Sequence, residues 1–321
     1  MQKEALRIVY MGTPEFAVEP LKALVKGGFN IVGVVTMPDK CSGRGMKLQA
    51  SPVKQYALAQ NIPVLQPEKL KNQEFLDELS SLHADLQIVV AFRMLPEVVW
   101  SMPTMGTFNL HASLLPQYRG AAPINWAVIN GDKETGVTTF FLQHAIDTGD
   151  IIMQEKIAIG DEECTGSVHD RLMELGAKLV LKTVEAILEG NVVTTSQSLL
   201  NPEEKLKPAP KLFKDNTRID WSQKGRQLFN FVRGLSPYPA AWTELCNSDE
   251  CIGVKVFEAV FEQKNHDLEP GKIITDGKKE LKVAVADGFL CLKRLQLAGR
   301  KTLNADDLLR GFKDIDDYFF R

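Results

Sequence analysis

Asn109 and His111 stand two residues apart in the stretch Thr-Phe-Asn-Leu-His-Ala-Ser, just before Leu-Leu-Pro-Gln-Tyr-Arg-Gly-Ala-Ala-Pro. In an extended segment, residues i and i+2 point to the same side, so the two side chains would face one cleft. An amide beside an imidazole suits acyl-type transfer. The amide NH2 can donate to a developing oxyanion, and the imidazole can move a proton. Such a pair needs a third group to orient or charge the ring. His-Ala-Ile-Asp-Thr-Gly-Asp supplies Asp147 on a glycine-containing turn, with Asp150 behind it. Spacing alone leaves other roles open. His111 could be a hydrogen-bonded core residue, and Asp147 and Asp150 could be turn formers. His144 could pack on an apolar strand, and Cys41, although near Arg44, could be inert.

The surrounding elements place the pair at the end of a strand. The first two hundred residues alternate strand and helix signals. Leu-Arg-Ile-Val-Tyr-Met-Gly is a short apolar run, and Thr13 and Pro14 read as the N-cap and first residue of a helix closing on Gly27 and Gly28. Pro20 inside that pattern predicts a kink or an early break. Further strands are read in Asn-Ile-Val-Gly-Val-Val-Thr, Ile-Pro-Val-Leu, Leu-Gln-Ile-Val-Val-Ala-Phe and Gly-Thr-Phe-Asn-Leu-His. Helices begin at Ser51-Pro52 and cover roughly 72–83. This alternation predicts a Rossmann-like, mostly parallel sheet with helices on both faces, whose ligands bind beyond the strands' carboxyl ends. Two further strands flank the Ile-Asp-Thr-Gly-Asp turn as an antiparallel pair, and a long amphipathic helix with a Thr165 cap follows.

The texture changes near residue 200. A Pro- and Lys-rich stretch reads as a linker, followed by a helix over about 222–234. Beyond it, short alternating runs parted by Gly-Asp and Asp-Gly turns predict a smaller antiparallel β-barrel of OB-like form, with a short capped helix in the tail. The expected division is 1–200 as an α/β catalytic domain, 201–221 as a linker and 222–321 as the barrel.

Bulk properties narrow the function classes. The chain has 321 residues, 44% of them apolar and 25% charged, as in ordinary globular domains. No run of 18 apolar residues and no leader pattern is seen, so neither a membrane span nor secretion is expected. The five cysteines are scattered without a Cys-x-x-Cys, and are read as thiols in a cytoplasmic protein. A net charge of −3 argues against a generic nucleic-acid binder. The charge is uneven, however: 207–321 holds 20 basic and 17 acidic residues, and 1–206 holds 18 and 24. Lys40, Arg44 and Lys47 share one glycine-bearing run with no acidic residue until Glu68, which suits phosphate contact.

Gly-Thr-Pro-Glu-Phe-Ala, Gly-Arg-Gly at 43–45, the run from Asn109 to Gly131, His-Ala-Ile-Asp-Thr-Gly-Asp-Ile and Arg-Ile-Asp-Trp together resemble the methionyl-tRNA formyltransferases, in order and spacing, from about Leu6 to Leu309. The resemblance implies formyl transfer from 10-formyltetrahydrofolate to the α-amino group of methionyl initiator tRNA, with no metal. It implies that Asn109, His111 and Asp147 form the catalytic trio. It implies that Ser113, Leu114, Leu115 and Pro116 form a folate-binding loop, with Phe92 lining the pterin slot, and that Arg44 and Lys47 lie in a loop reaching the tRNA acceptor end. The partners implied are the folate and the tRNA, with no membrane, and a monomer is expected. Where members of that family commonly read Pro-Ala-Gly-Arg-Gly, this chain has Cys41-Ser42-Gly43-Arg44-Gly45. Its Ala-Phe-Arg-Met-Leu-Pro segment is one residue shorter than usual. Position 144, often acidic in relatives, is histidine here and receives no catalytic role.

A dinucleotide enzyme is disfavoured because no Gly-x-Gly-x-x-Gly follows the first strand. Two alternatives remain at this stage. A folate-dependent formyltransferase acting on a small amine, such as glycinamide ribonucleotide or an amino sugar, would need neither the Gly-Arg-Gly loop nor the basic barrel. A non-catalytic RNA-binding protein would not need the trio.

Overall fold

In the computed structural model, residues 2–42, 47–200, 205–312 and 314–321 are described. The first strand, β1 (Arg7–Gly12), is buried from Ile8 onward, as a strand with neighbours on both sides and helices on both faces must be. The following elements are α1 (Val18–Lys26), β2 (Asn30–Val35), the small hairpin strands β3 (Lys40–Ser42) and β4 (Lys47–Gln49), α2 (Pro52–Ala59), β5 (Val64–Leu65), α3 (Gln73–Ser81), β6 (Leu86–Val90), α4 (Glu97–Trp100) and β7 (Thr107–His111). After α5 (Pro123–Ile129) come β8 (Glu134–Phe141), β9 (Ile151–Ala158) and the 25-residue α6 (Thr165–Glu189).

Among the described residues the main sheet has seven strands in the order β5-β2-β1-β6-β7-β8-β9. The pairs β5–β2, β2–β1, β1–β6 and β6–β7 are parallel, and β7–β8 is antiparallel. Strand order reverses between β1 and β6. Gly12 pairs with Val90 and Val90 with Leu110, so the carboxyl ends of β1, β6 and β7 emerge side by side. That is the edge at which an open α/β sheet binds ligands.

Two helix starts differ from expectation. Thr13 does not cap a helix: its Oγ1 is buried without a partner among the described residues, and Pro14 precedes a single 3-10 turn, Glu15–Ala17. Because α1 begins only at Val18, Pro20 falls in its first turn, where the missing N–H costs no helical bond, so no kink or break results. Ser51 does cap α2 as expected, its hydroxyl accepting from the Lys54 N–H at 3.1 Å. Thr165 is the first residue of α6, and its hydroxyl donates to the Gly234 carbonyl at 2.7 Å.

The chain forms two compact units, neither continuous in sequence. The first comprises Met1–Gly120, Thr135–Ile157 and His169–Pro208; the second comprises Ala121–Glu134, Ala158–Val168 and Ala209–Arg321. The second unit holds α5, α7 (Gly225–Leu235) and an antiparallel sheet of β10 (Ala241–Cys246), β11 (Cys251–Gln263), β12 (Ile273–Thr275), β13 (Leu281–Val285), β14 (Gly288–Leu297), β15 (Leu303–Asn304) and β16 (Phe319–Phe320), with α8 (Ala305–Gly311) between the last two strands. Its strand order is β12-β13-β14-β11-β10-β16, and β15 joins the side of β14. A bridge from Lys272 to Phe319, and the Phe320 N–H donating to the Gly271 carbonyl at 2.9 Å, bring the two ends of this order together. The sheet is therefore a nearly closed barrel. Its core is built on Leu245, Val256, Val283, Leu290 and Leu295.

Residues 205–221, which composition marks as a linker, are anchored: Ala209, Ile219 and Trp221 are buried, and the Trp221 indole donates to Thr243 at 2.9 Å. The expectation of five thiols is corrected. Cys246 and Cys251 face each other across the β10–β11 register and are joined by a disulfide, while Cys41, Cys164 and Cys291 are free. The spacing Cys-x4-Cys matches no metal or redox motif, and only the tight hairpin makes the two neighbours. No helix among the described residues is long and apolar enough to cross a membrane.

Candidate active site

β7 carries Asn109 and His111 to the carboxyl end of the sheet, as the alternation of an extended strand requires. Its flanking residues Phe108 and Leu110 are buried and fix the strand. Asn109 is half-buried, and its carboxamide has no hydrogen-bond partner among the described residues. A donor held on a central strand and unclaimed by the protein is available to a substrate oxygen.

His111 is buried, with Nε2 2.9 Å from the Tyr118 carbonyl oxygen. A carbonyl can only accept, so this contact assigns the ring proton to Nε2 and leaves the Nδ1 lone pair free. Nδ1 faces Asp147, whose Oδ2 lies 3.9 Å away. That is beyond a direct hydrogen bond but close enough for the carboxylate to stabilise an imidazolium. The same Oδ2 accepts the Gly120 N–H at 3.0 Å. Asp147 sits on the turn between β8 and β9 with φ 54°, in the left-handed region where a non-glycine residue needs support. That support comes from Gln197, a buried residue beyond α6. Its Nε2 donates to the carbonyls of Asp147 at 2.9 Å and Gly149 at 2.8 Å. Its Oε1 accepts from Arg119 Nε at 3.1 Å and Nη2 at 2.6 Å.

The structure thus brings Asn109, His111 and Asp147 together. It gives Ser113–Pro116 a different character from a loop of free ligating groups. The Ser113 hydroxyl is buried and donates to the Gln117 carbonyl at 2.7 Å. Thr138 Oγ1 donates to the Ser113 carbonyl at 2.6 Å, and Gln154 Nε2 donates to the Leu115 carbonyl at 2.8 Å. Leu115 packs with Phe140 and Ile151, Pro116 is buried, and Leu114 is half-buried. The segment is pinned to β8 and β9.

Phe92 emerges just past β6, half-buried against a core cluster that includes Val89 and Leu95, and the Arg93 guanidinium lies 5.5 Å from its ring centre. Burial pushes the Arg93 guanidinium below its ordinary range, and its donors reach the carbonyls of Pro67 and Glu68. A hollow of about 570 Å³ beside it is lined by Leu70, Leu76, Arg93, Met94 and Val98 and includes none of the trio. Arg44 lies outside the described residues. Lys47 opens β4, and its side chain also lies outside the description. His144 is exposed, 3.6 Å from Glu97 and edge-on to Trp100, and makes no contact with the trio. Among the described residues no group of three or more His, Cys, Asp or Glu side chains could hold a metal ion.

The sequence reading gave no role to Tyr118, Gly120, Arg119 or Gln197, although Arg119 and Gly120 lie in the run that carries the resemblance. Tyr118 and Gly120 act through backbone groups, which leave no side-chain signature. Gln197 lies 50 residues from Asp147 along the chain.

Residues 6–184 match the family model described as formyl transferase, and residues 211–313 match the one described as formyl transferase, C-terminal domain. A methionyl-tRNA formyltransferase of Bacteroides fragilis is 63% identical over 313 residues, covering 97% of each chain. That of Bacteroides thetaiotaomicron is 61% identical over 319 residues, covering 99% of each. Among solved structures, the sugar 3N-formyl transferase WlaRD matches with a TM-score of 0.64 at 18% identity, over 92% of this chain and 99% of its own. HypX from Aquifex aeolicus, in complex with tetrahydrofolic acid, matches with a TM-score of 0.63 at 17% identity, over 97% of this chain and 47% of its own. At these identities the structural likeness speaks for the fold alone.

Proposed function

Since the chain belongs to the formyl transferase family, and within it to the methionyl-tRNA formyltransferases, we propose that Asn109, His111 and Asp147 carry its reaction. The enzyme transfers a formyl group from 10-formyltetrahydrofolate to the α-amino group of methionyl initiator tRNA. The observation that supports this placement is the convergence of a free carboxamide, a free imidazole nitrogen and a carboxylate at the carboxyl end of β7.

The folate supplies the formyl carbon. The methionyl amine attacks that carbon, a new C–N bond forms, and the bond from the carbon to the folate nitrogen breaks. Asn109 donates to the formyl oxygen as negative charge develops there, a contact stronger in the transition state than in the ground state. His111 takes the amine's proton at Nδ1 and delivers a proton to the departing nitrogen. Asp147 stabilises the imidazolium formed between these steps, and the Tyr118 carbonyl holds the ring in one tautomer. The groups present fit the folate's needs: the donor is unclaimed, and Phe92 offers an apolar wall one strand away.

The division of labour follows the same reading. Residues 1–200 carry the chemistry, 201–221 connect, and 222–321 hold tRNA. Ser113–Pro116 and Phe92 border the folate, and Arg44 and Lys47 reach the acceptor end. The chain acts as a monomer in the cytoplasm. Incubation with labelled 10-formyltetrahydrofolate and either methionyl-tRNA or small amines tests the acceptor. Label in methionyl-tRNA is the expected result, and label only in a small amine would overturn it.

A further inference from the structure

The catalytic aspartate sits on a turn that its own strands do not fully specify. Phe141 N–H bonds to the Asp150 carbonyl at the base of the turn, and Thr148 Oγ1 bonds to Ala145 at its tip. Neither contact touches the Asp147 peptide. The left-handed φ of 54° at Asp147 costs free energy unless neighbouring groups hold it. Gln197 is the side chain that holds it.

Every polar atom of the Gln197 amide is used: two N–H donations to the carbonyls of Asp147 and Gly149, and an oxygen taken by the Arg119 guanidinium. The side chain is buried, yet it belongs to no apolar cluster. Its own backbone is anchored next door, where Thr195 and Ile151 exchange N–H···O bonds of 2.8 and 2.9 Å at the start of β9. Arg119 completes the connection, because its neighbour Gly120 supplies the N–H that grips Asp147 Oδ2 at 3.0 Å. The carboxylate is thereby located from two sides. Its oxygen is held by the loop after β7 and its backbone by the segment after α6, and one amide ties these two segments together.

We infer that Gln197, seated on Arg119, is a positioning residue for formyl transfer: it fixes the turn that sets Asp147 against His111 Nδ1. This rests on the trio reading given above. It goes further by placing a required part of the machinery beyond α6.

The test is steady-state kinetics of full-length variants with both substrates varied, joined to a double-mutant cycle. Gln197→Met keeps the chain length and removes all the polar contacts. Gln197→Glu keeps the acceptor for Arg119 but turns an oxygen toward two carbonyls. Displacing a reacting group by about 1 Å costs on the order of 10²-fold, so kcat should fall about 10- to 100-fold in both variants. KM for folate and for tRNA should hold, a split that general loosening of the fold would not produce. In the Asp147→Asn background, Gln197→Met should lower kcat little further, because both changes act through one carboxylate. Should Gln197→Met fail to fold, Arg119→Met removes only the seat of the amide and should give a smaller fall of the same kind. Near-normal kcat in Gln197→Met and Gln197→Glu, or losses that multiply fully with Asp147→Asn, would overturn the inference. If Asp147→Asn alone kept wild-type kcat, the trio reading itself would fail, and that result is read independently of Gln197.

Discussion

Asn109 and Asp147 can be separated experimentally because the protein makes different demands on them. The Asn109 side chain bonds to nothing among the described residues, and its backbone pairing in β7 does not depend on it, so Asn109→Ala should leave the fold intact. It should also remove a preorganised donor whose loss costs about 10²–10³ in turnover. Kinetics with folate binding measured in parallel checks this, and near-normal turnover would remove Asn109 from the mechanism. Asp147→Asn keeps an oxygen for the Gly120 N–H but discards the charge that faces His111. Turnover should fall by about 10²–10⁴, the usual worth of supported acid–base catalysis, while the thermal midpoint stays nearly unchanged. At this scale the positions of the side chains proposed to do chemistry were legible, from the alternation of a strand and the turn chemistry of Asp-Thr-Gly, while their roles came from the resemblance. The groups that aim them were not. A carbonyl from Tyr118 and an N–H from Gly120 carry no residue signature, and Gln197 resembles any other glutamine until α6 has been folded.

Elements set the tolerances of the site, and the turn between β8 and β9 has a tight one. A Cβ on Gly149 would stand 1.7 Å from the Phe141 carbonyl oxygen, whereas one on Gly311 in α8 would meet nothing within 4 Å. Gly149→Ala should therefore cost at least about 1–3 kcal/mol, as overpacking does, and lower kcat with it. Gly311→Ala should be silent in both thermal melts and kinetics. In the barrel, the Asp276 carboxylate accepts N–H bonds from Glu280, Lys279 and Lys278 in the β12–β13 turn, which hold its pKa down to about 2. A depressed carboxyl stabilises the fold above its unfolded value of about 3.9, and that contribution is lost as pH falls through the folded value. An NMR titration of Asp276 should show its midpoint near 2, and a midpoint in the ordinary range would mean these bonds do not persist. Strand and helix periods read well in advance, down to the Ser51 cap. Thr13, Pro20 and the Cys246–Cys251 pair did not, because a cap, a first turn and a hairpin register each depend on a boundary shifted by a few residues.

For the whole molecule, the surplus of basic residues in 207–321 is the feature by which the proposed holding of tRNA can be tested. Lys211 and Lys214 lie over the rings of Phe213 and Trp242, at 5.3 and 4.8 Å from the ring centres. Phe213 is itself exposed. If Lys211 and Lys214 each neutralise a phosphate, replacing both with Gln should lower tRNA affinity. It should also reduce the salt slope of log affinity by roughly 0.7–0.9 per contact, with folate KM unchanged. Binding measured at several salt concentrations decides it, and an unaltered slope would place the phosphate contacts elsewhere. Point substitutions are the right tool because a cut near residue 205 would not excise one unit cleanly. The second unit also contains 121–134 and 158–168, whose contribution a reading along the chain could not assign.

That interleaving has a consequence for the nascent chain. α5 presents the buried residues Ile124, Ala127 and Val128, and Asn125 Nδ2 donates to the carbonyl of Gly234 in α7 at 2.8 Å. About a hundred residues separate the two helices, which at a synthesis rate of about 5–20 residues per second means a wait of roughly 5–20 s. Throughout that interval α5 is made ahead of its partner, so Ile129, which packs against the core that α7 helps build and lies close to Gly234, has no such surface to meet. Chaperone engagement during synthesis should therefore centre on residues 123–129 and end once α7 has emerged.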